Sequence, residues 1–494
     1  MAKPLSIMYV ASEVVPFAKT GGLADVAGAM PQIVRESGHD IRIMMPKYAS
    51  VSERVFKIHD IKRLTDIPIK VGDETHLGSI KSSFITNLKS KVQVYFLHNP
   101  EYFDRPGLYV DPKTLKDYPD NDDRFIFFAR SVVQTLHRLG WIPDVLHLND
   151  WQSGLVAAYA RTIFRNEPQF KKIKIVFTVH NAAYQGVFDK SSFDKTGLPE
   201  ELFSPDYLEF NGKLNCLKAG LMFSDAITTV SPTYAKEIQS SPEHGCGLES
   251  LFYKLRRKTK AILNGADYSV WNPETDELIP ATYSTDDLAP KLENKKELAE
   301  HFKLKFDPKI PIIGMVSRLV DQKGLDLVVK ALKRILAMKC QLVILGTGEE
   351  KYHKLLSTAA KANKKQMGLE LAFDEELAHL IEAGSDMFLM PSKYEPCGLN
   401  QFYSLRYGTL PIVRKTGGLA DTVVDLNEKP NSGTGFMFEK YDARELVATV
   451  KRALTAFKDE RCWQRAMVRA MKKDFSWNKS AAQYIDLYRK LMKK

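Results

Sequence analysis

Polar clusters recur along this chain, each placed just after a short apolar run. His147 lies within the VLHL run at 145–148, Asn149, Asp150 and Trp151 follow it, and His180-Asn181 follow IVFTV at 175–179. Ser317-Arg318 and Lys323-Gly324 follow IIGMV, Gly346-Thr347-Gly348 follow QLVIL, and Tyr394-Glu395-Pro396-Cys397-Gly398-Leu399-Asn400 follow DMFLM. The heptapeptide KTGGLAD occurs twice, at 19–25 and 415–421, both times where an apolar run hands over to a helical stretch. Singly, each cluster has an ordinary reading. A strand-end His is usually a hydrogen-bonded core residue, Gly-x-Gly is a common turn, Arg318 and Lys323 suit a solvated surface, and Glu395 suits a helix cap. Their convergence on one kind of position argues for a site. Glycine turns that open helices offer free N–H groups and close backbone approach, which suits a phosphate. Fixed Lys and Arg stabilise the charge that develops on a departing diphosphate, without a divalent ion.

Other chemistries lack their residues. No H-E-x-x-H or C-x-x-C pair suggests a metal, and there is no G-x-x-x-x-G-K-[ST] loop. No G-x-G-x-x-G opens either half, and no G-x-S-x-G elbow occurs.

The elements that must carry these clusters alternate in a βαβ rhythm. Runs at 6–11, 41–46, 145–148, 175–179, 226–230 and 261–263 read as strands, with a helix from about Leu23 towards Ser37-Gly38. The stretch 50–140 is more mixed. The segment 267–307, rich in Pro, Asn, Asp, Thr and Lys, reads as an interdomain connection. A second series follows, with strands at 312–317, 341–346, 369–373, 386–391 and 410–413. Leu325, Val328, Val329, Leu332 and Ile335 form a helical stripe between the first two. The pattern predicts two consecutive doubly wound α/β domains, with ligands outside the carboxyl ends of the strands. A last helix shows Ile485, Tyr488, Leu491 and Met492 on one face.

Composition sets the outer bounds. The 494 residues are 44% apolar and 27% charged, which excludes a disordered chain or a small disulfide scaffold. The net charge of +11 admits an anionic partner, whether nucleic acid, phosphorylated metabolite or acidic membrane, and equally a merely solvated surface. No basic-aromatic cluster favours nucleic acid. Five cysteines without C-x-x-C spacing suggest a reducing compartment. The apolar stretch at 5–11 meets Glu13 too soon for a signal peptide, and no run is long enough to span a membrane. A cytoplasmic location is expected.

The motifs together resemble the bacterial glycogen synthases and plant starch synthases that use ADP-glucose. They are SEVVPFAKTGGLADV (12–26), HLNDWQSGL (147–155), VHNAAYQG (179–186), TVSPTYAKEI (229–238) and ILNGADYSVWNPETD (262–276). SRLVDQKGLDL (317–327), PSKYEPCGLNQ (391–401) and YGTLPIVRKTGGLADTV (407–423) complete the set. The resemblance implies two Rossmann-like domains facing across a deep cleft, the GT-B arrangement. Residues 1–265 would form the acceptor-side domain and 266–474 the nucleotide-sugar domain. Residues 475–494 would be a helix returning to the first domain.

It further implies a retaining transfer of glucose from ADP-glucose to the non-reducing end of an α-1,4-glucan, with no cofactor or metal and with neither nucleic acid nor membrane as partner. Lys19, with Gly21 and Gly22 alongside, would contact the phosphates, and Asp25 would support that loop. Arg318 and Lys323 would neutralise the departing diphosphate, and Thr416, Gly417 and Gly418 would add N–H donors. His180 and Asp150 would line the glucose and acceptor side. Glu395 would stabilise charge at the anomeric carbon. Gly346, Cys397, Gly398 and Leu399 would border the nucleotide sugar. Where many related retaining transferases carry a second Glu, with seven residues between it and the first, this chain has Tyr403. That favours front-face attack over double displacement. A UDP-glucose-dependent synthase, or a non-catalytic nucleotide-sugar-binding protein, is the alternative.

Overall fold

The computed structural model describes residues 3–87 and 89–493. The chain divides into two compact units. The first comprises Met1–Val230, Ala235–Leu263 and Trp477–Lys494, and the second Ser231–Tyr234 and Asn264–Ser476.

The first unit contains β1 (Ser6–Val10), β2 (Asp40–Pro46), β3 (His59–Asp60), β4 (Ile67–Val71), β5 (Glu74–Thr86) and β6 (Lys91–His98). It continues with β7 (Val145–Asn149), β8 (Lys174–Val179), β9 (Val187–Phe188), β10 (Glu209–Phe210), β11 (Lys213–Asn215), β12 (Ala226–Thr229) and β13 (Thr259–Ala261). One sheet runs β13-β12-β8-β7-β1-β2-β6-β5-β3, with β4 also pairing β5, while β10-β11-β9 form a small separate sheet. From β13 to β6 every pairing is parallel. All five residues of β7 are buried, as expected for a strand covered on both faces. The mixed stretch at 50–140 supplies the antiparallel margin: β5 pairs antiparallel with β6, β3 and β4 and alternates between buried and exposed. The terminal helix Trp477–Met492 belongs to this unit, and Tyr484, Ile485, Tyr488 and Leu491 are buried on it. Met492, expected on the same face, is 37% exposed because the helix ends there.

The second unit holds β14 (Ile312–Val316), β15 (Gln341–Leu345), β16 (Met367–Glu370), β17 (Met387–Met390), β18 (Leu410–Arg414) and β19 (Phe436–Phe438). All are parallel, in the order β16-β15-β14-β17-β18-β19. The stripe of helix Leu325–Leu336 packs into its core.

The strand order creates one switch point per sheet. β1 has β2 on one side and β7 on the other, and β14 has β15 and β17. Loops at the carboxyl ends of such flanking strands leave a crevice, the usual ligand position in open α/β sheets.

Several expectations need correction. The segment 267–307 is not a bare connection: it carries helix Lys291–His301, on which Lys291, Asn294 and Lys295 are buried. The Lys291 ammonium donates to the Ala383 carbonyl at 2.7 Å and Thr409 Oγ1 at 2.8 Å. Lys295 pairs with Asp386 at 2.8 Å. Side chains usually found in water here serve buried carbonyls and an acid, so composition disguised the helix. β13 begins two residues before the expected run and β16 starts and ends earlier, because each strand extends only as far as its parallel neighbour, Thr229 opposite Ala261 and Leu345 opposite Glu370. β19, three residues long, adds a further strand at the sheet edge.

Candidate active site

In the first unit, β1 leads into a loop that doubles back to start helix Gly22–Glu36. Buried Glu13 organises it. Its carboxylate accepts from the Thr20 N–H at 2.5 Å, Thr20 Oγ1 at 2.7 Å and the Gly21 N–H at 3.1 Å. The Tyr109 hydroxyl lies 2.8 Å from the same carboxylate and 2.7 Å from Ser12 Oγ. Two N–H groups that the turn was expected to offer a phosphate are therefore occupied by the chain's own anion. Gly22 and Leu23 remain as amides of the first helical turn, where no intrahelical acceptor exists. Lys19 stays exposed, and its ammonium pairs with Asp25 at 2.7 Å.

Across the switch point, β7 ends in Asn149-Asp150. Asp150 opens helix Asp150–Arg161 with φ of +53°, a left-handed conformation uncommon for a residue with a side chain. Its carboxylate accepts the His180 N–H at 2.7 Å and also the Asn181 N–H. Burial raises its pKa to about 7 in spite of those donors, with a smaller push from Glu13. His180, at the end of β8, is buried, and burial lowers its pKa to about 3. Its Nε2 lies 2.9 Å from Asn149 Oδ1, which the Tyr9 hydroxyl also reaches at 3.0 Å. The neighbouring His147 has a different task. Its ring nitrogens meet the Tyr488 hydroxyl and Thr178 Oγ1, both at 2.6 Å, tying the sheet to the terminal helix.

In the second unit, the turn after β14 ends in Lys323. Gly324, at φ +75°, follows where any Cβ would lie 2.1 Å from the Pro391 carbonyl oxygen. That close approach brings Lys323 Nζ to 2.6 Å from Glu395 Oε2. Ser392 Oγ donates to the same oxygen at 3.0 Å, and Glu395 is buried. Arg318 is exposed, donates to Gln322 Oε1 at 3.3 Å and makes no ion pair among the described residues.

The glycines here serve packing first. A Cβ on Gly346 would meet the Ser317 carbonyl oxygen at 1.9 Å, and one on Gly417 the Glu395 carbonyl oxygen at 1.8 Å. The Gly418 N–H donates to that Glu395 oxygen at 3.2 Å, so the second turn does not hold it out for a phosphate as expected. Thr416 beside them is buried. The Cys397 thiol is buried and pushed up in pKa by that burial, so only its peptide can border a ligand. Gly398, at φ +72°, and half-buried Leu399 carry the chain into helix Asn400–Arg406. Tyr403 on this helix stacks on Trp271 at 4.1 Å, and Trp271 stacks on His379 at 3.7 Å. An aromatic sandwich thus occupies the position where a second acid would stand. Among the described residues, no group of three or more His, Cys, Asp or Glu is gathered as a metal site requires.

Residues 6–254 match the family model described as starch synthase catalytic domain, and 296–467 match glycosyl transferases group 1. Glycogen synthase 2 of Geobacter metallireducens is 45% identical, covering 98% of both chains. Glycogen synthase of Thermosipho africanus is 42% identical, covering 99% of this chain and 100% of that one. The chain belongs to the glycogen and starch synthase family. It is a two-domain GT-B glycosyltransferase, an enzyme of that family. The catalytic domain of starch synthase IV from Arabidopsis thaliana, bound to ADP and acarbose, superimposes with a TM-score of 0.92 at 32% identity, covering 100% of each chain. A sucrose-phosphate synthase from Thermosynechococcus elongatus, at 17% identity and TM-score 0.60, shares the fold.

Four residues of this family member take their meaning from the fold rather than from residue type. Glu13 lies inside a quoted motif, yet only the folded loop shows its carboxylate turned onto the Thr20 and Gly21 amides. Asn149 shows in the sequence only as part of a polar run. Tyr109 comes from the unassigned 50–140 stretch. Phe373, 79% exposed, follows β16 at the carboxyl end of the second sheet. An apolar residue at the end of an apolar run gave no signal that it would face solvent. No described helix is long and apolar enough to cross a membrane.

Proposed function

We propose that this family member transfers glucose from ADP-glucose to the non-reducing end of an α-1,4-glucan in the cytoplasm, with retention at the anomeric carbon and release of ADP. The 2.6 Å contact of Lys323 with buried Glu395, together with an Arg318 that has no acidic partner among the described residues, carries this reading. It joins positive charge to one buried acid at a switch point, as loss of a diphosphate beside a positively charged sugar carbon requires.

Arg318 and Lys323 take up the charge of the leaving diphosphate, and Lys19 adds a third cation. Glu395 stabilises positive charge at the anomeric carbon. The acceptor hydroxyl attacks from the face the diphosphate leaves. Its oxygen bonds to the anomeric carbon as the carbon–phosphate-oxygen bond breaks, and its proton passes to the departing phosphate. Tyr403 supplies no second carboxylate for a covalent intermediate, which supports this course. His180 and Asp150 line the glucose and acceptor side, with Asp25 supporting Lys19. Gly346, Cys397, Gly398 and Leu399 border the donor, and Phe373 offers a flat face to its base. ADP in the Arabidopsis starch synthase structure supports the adenine diphosphate, and the names of the bacterial relatives support a glycogen product.

The test is to incubate the protein with glycogen and either ADP-glucose or UDP-glucose and measure the released nucleotide, with and without EDTA. ADP release that exceeds UDP release and survives EDTA is expected. Equal or greater UDP release overturns the donor, loss of activity in EDTA overturns the charge argument, and no release from either donor leaves only a nucleotide-sugar-binding protein.

A further inference from the structure

The Asn149 side chain is fixed from both ends. Its Nδ2 donates to the Val10 carbonyl at 2.9 Å, at the end of β1. A carbonyl can only accept, so this bond settles which way the amide faces and leaves Oδ1 towards His180 and Tyr9. Oδ1 is itself only an acceptor, and it lies 2.9 Å from His180 Nε2 and 3.0 Å from the Tyr9 hydroxyl. The Nε2 of His180 must therefore carry the ring proton. We infer that Asn149 is a positioning residue that holds His180 as the neutral Nε2–H tautomer, so that Nδ1 can only accept a hydrogen bond from a substrate hydroxyl.

A histidine side chain in water exchanges between tautomers, and its Nδ1–H form would present an N–H where an acceptor is needed. Burial supports the neutral ring by lowering the pKa of His180 to about 3. The titratable groups around it act in the same sense or not at all at neutral pH. His147 is itself buried and neutral, Tyr9 is pushed far above its usual value, and Asp150 engages the His180 backbone N–H rather than the ring. The part of this inference that concerns substrate rests on the proposed role of His180 at the glucose side, whereas the tautomer itself does not.

The experiment is selective 15N-histidine labelling of the full chain, with the His180 signals among the 11 histidines identified by their loss in His180→Gln. The wild type is expected to show a protonated Nε2 and an unprotonated Nδ1, unchanged over about pH 5 to 8. Asn149→Ala is expected to give mixed tautomers and to lower kcat about tenfold, with donor KM nearly unchanged. A folded Asn149→Ala that keeps a single Nε2–H tautomer overturns the inference, whether or not kcat falls. If Asn149→Ala does not fold, Asn149→Asp keeps an acceptor for His180 Nε2 and the Tyr9 hydroxyl, gives up the donation to the Val10 carbonyl and adds a negative charge. It is expected to keep Nε2–H and to raise the His180 pKa, so that the ring begins to titrate in the acid part of that range. A ring that titrates as in wild type overturns the inference. These spectra need no substrate, so a wild type inactive with both nucleotide sugars would defeat the proposed function and leave the tautomer assignment standing.

Discussion

The two copies of KTGGLAD share seven letters and fold into different devices. In the first, Gly21 is extended, with nothing within 4 Å of a would-be Cβ, and Glu13 anchors the loop from beneath. Lys19 is left exposed, held by Asp25 at 2.7 Å. In the second, Gly417 turns left-handed at φ +44° and presses against the Glu395 carbonyl. Its lysine, Lys415, is spent on Glu439 at 2.7 Å, and Asp421 accepts from the Thr233 N–H at 2.8 Å and Oγ1 at 2.7 Å. One copy presents a cation. The other braces the segment that carries the acid. Identical local sequence fixes a turn that opens a helix, and what the turn packs against decides its use.

The sharpest way to break this contrast is alanine at the paired glycines. Gly417→Ala forces a Cβ into the Glu395 carbonyl and is expected to lower kcat about a hundredfold with little change in far-UV circular dichroism. Gly21→Ala should leave steady-state kinetics within error. Comparable losses in both would erase the distinction. Next in size, Lys19→Ala is expected to raise donor KM about tenfold through loss of one charge-assisted contact, whereas Lys415→Ala removes an exposed pair and should do nothing measurable. Equal effects in donor titrations would make the lysines equivalent. Glu13→Gln keeps the shape of the anchor and removes its charge, so a rise of only about threefold in donor KM is expected. An unchanged KM would show that Lys19 is set by Asp25 alone.

The smallest effect tests the acid beside the first copy. Asp150 keeps its proton up to about pH 7 in the fold, while an unfolded Asp releases it near 4. The folded chain binds the extra proton, so this contribution to stability is complete below about pH 4 and falls as pH rises through that window. Asp150→Asn has no such proton. Melting temperatures at about pH 5, 6 and 7 should show the wild type losing stability relative to the variant, by a few degrees in all. A constant difference would mean that Asp150 ionises normally.

Much of this was legible before folding. Nearly continuous apolar runs marked β1, β7, β8, β14, β15 and β17, because strands covered on both faces admit little else. Edge strands gave weaker signals: β13, with Thr259 and Lys260, needs only one neighbour and little burial. Glu395, Lys323 and Arg318 were visible as charges at strand ends. Asn149 and Glu13 were not distinguishable from structural residues, since their meaning lies in which donors and acceptors they meet.

The sequence by itself determined two α/β units, the end of each strand at which polar residues gather, and the shortage of acids among them. It did so because burial periodicity and residue type act over a few positions of chain. Only the tertiary structure decided that β1 stands beside β7 and β14 beside β17, so that Glu13 shares a switch point with Asn149 and Asp150, and Lys323 with Glu395. Strand order depends on contacts between residues more than a hundred positions apart in the first unit and about seventy in the second. No local pattern encodes such contacts, and they separate the two uses of one heptapeptide.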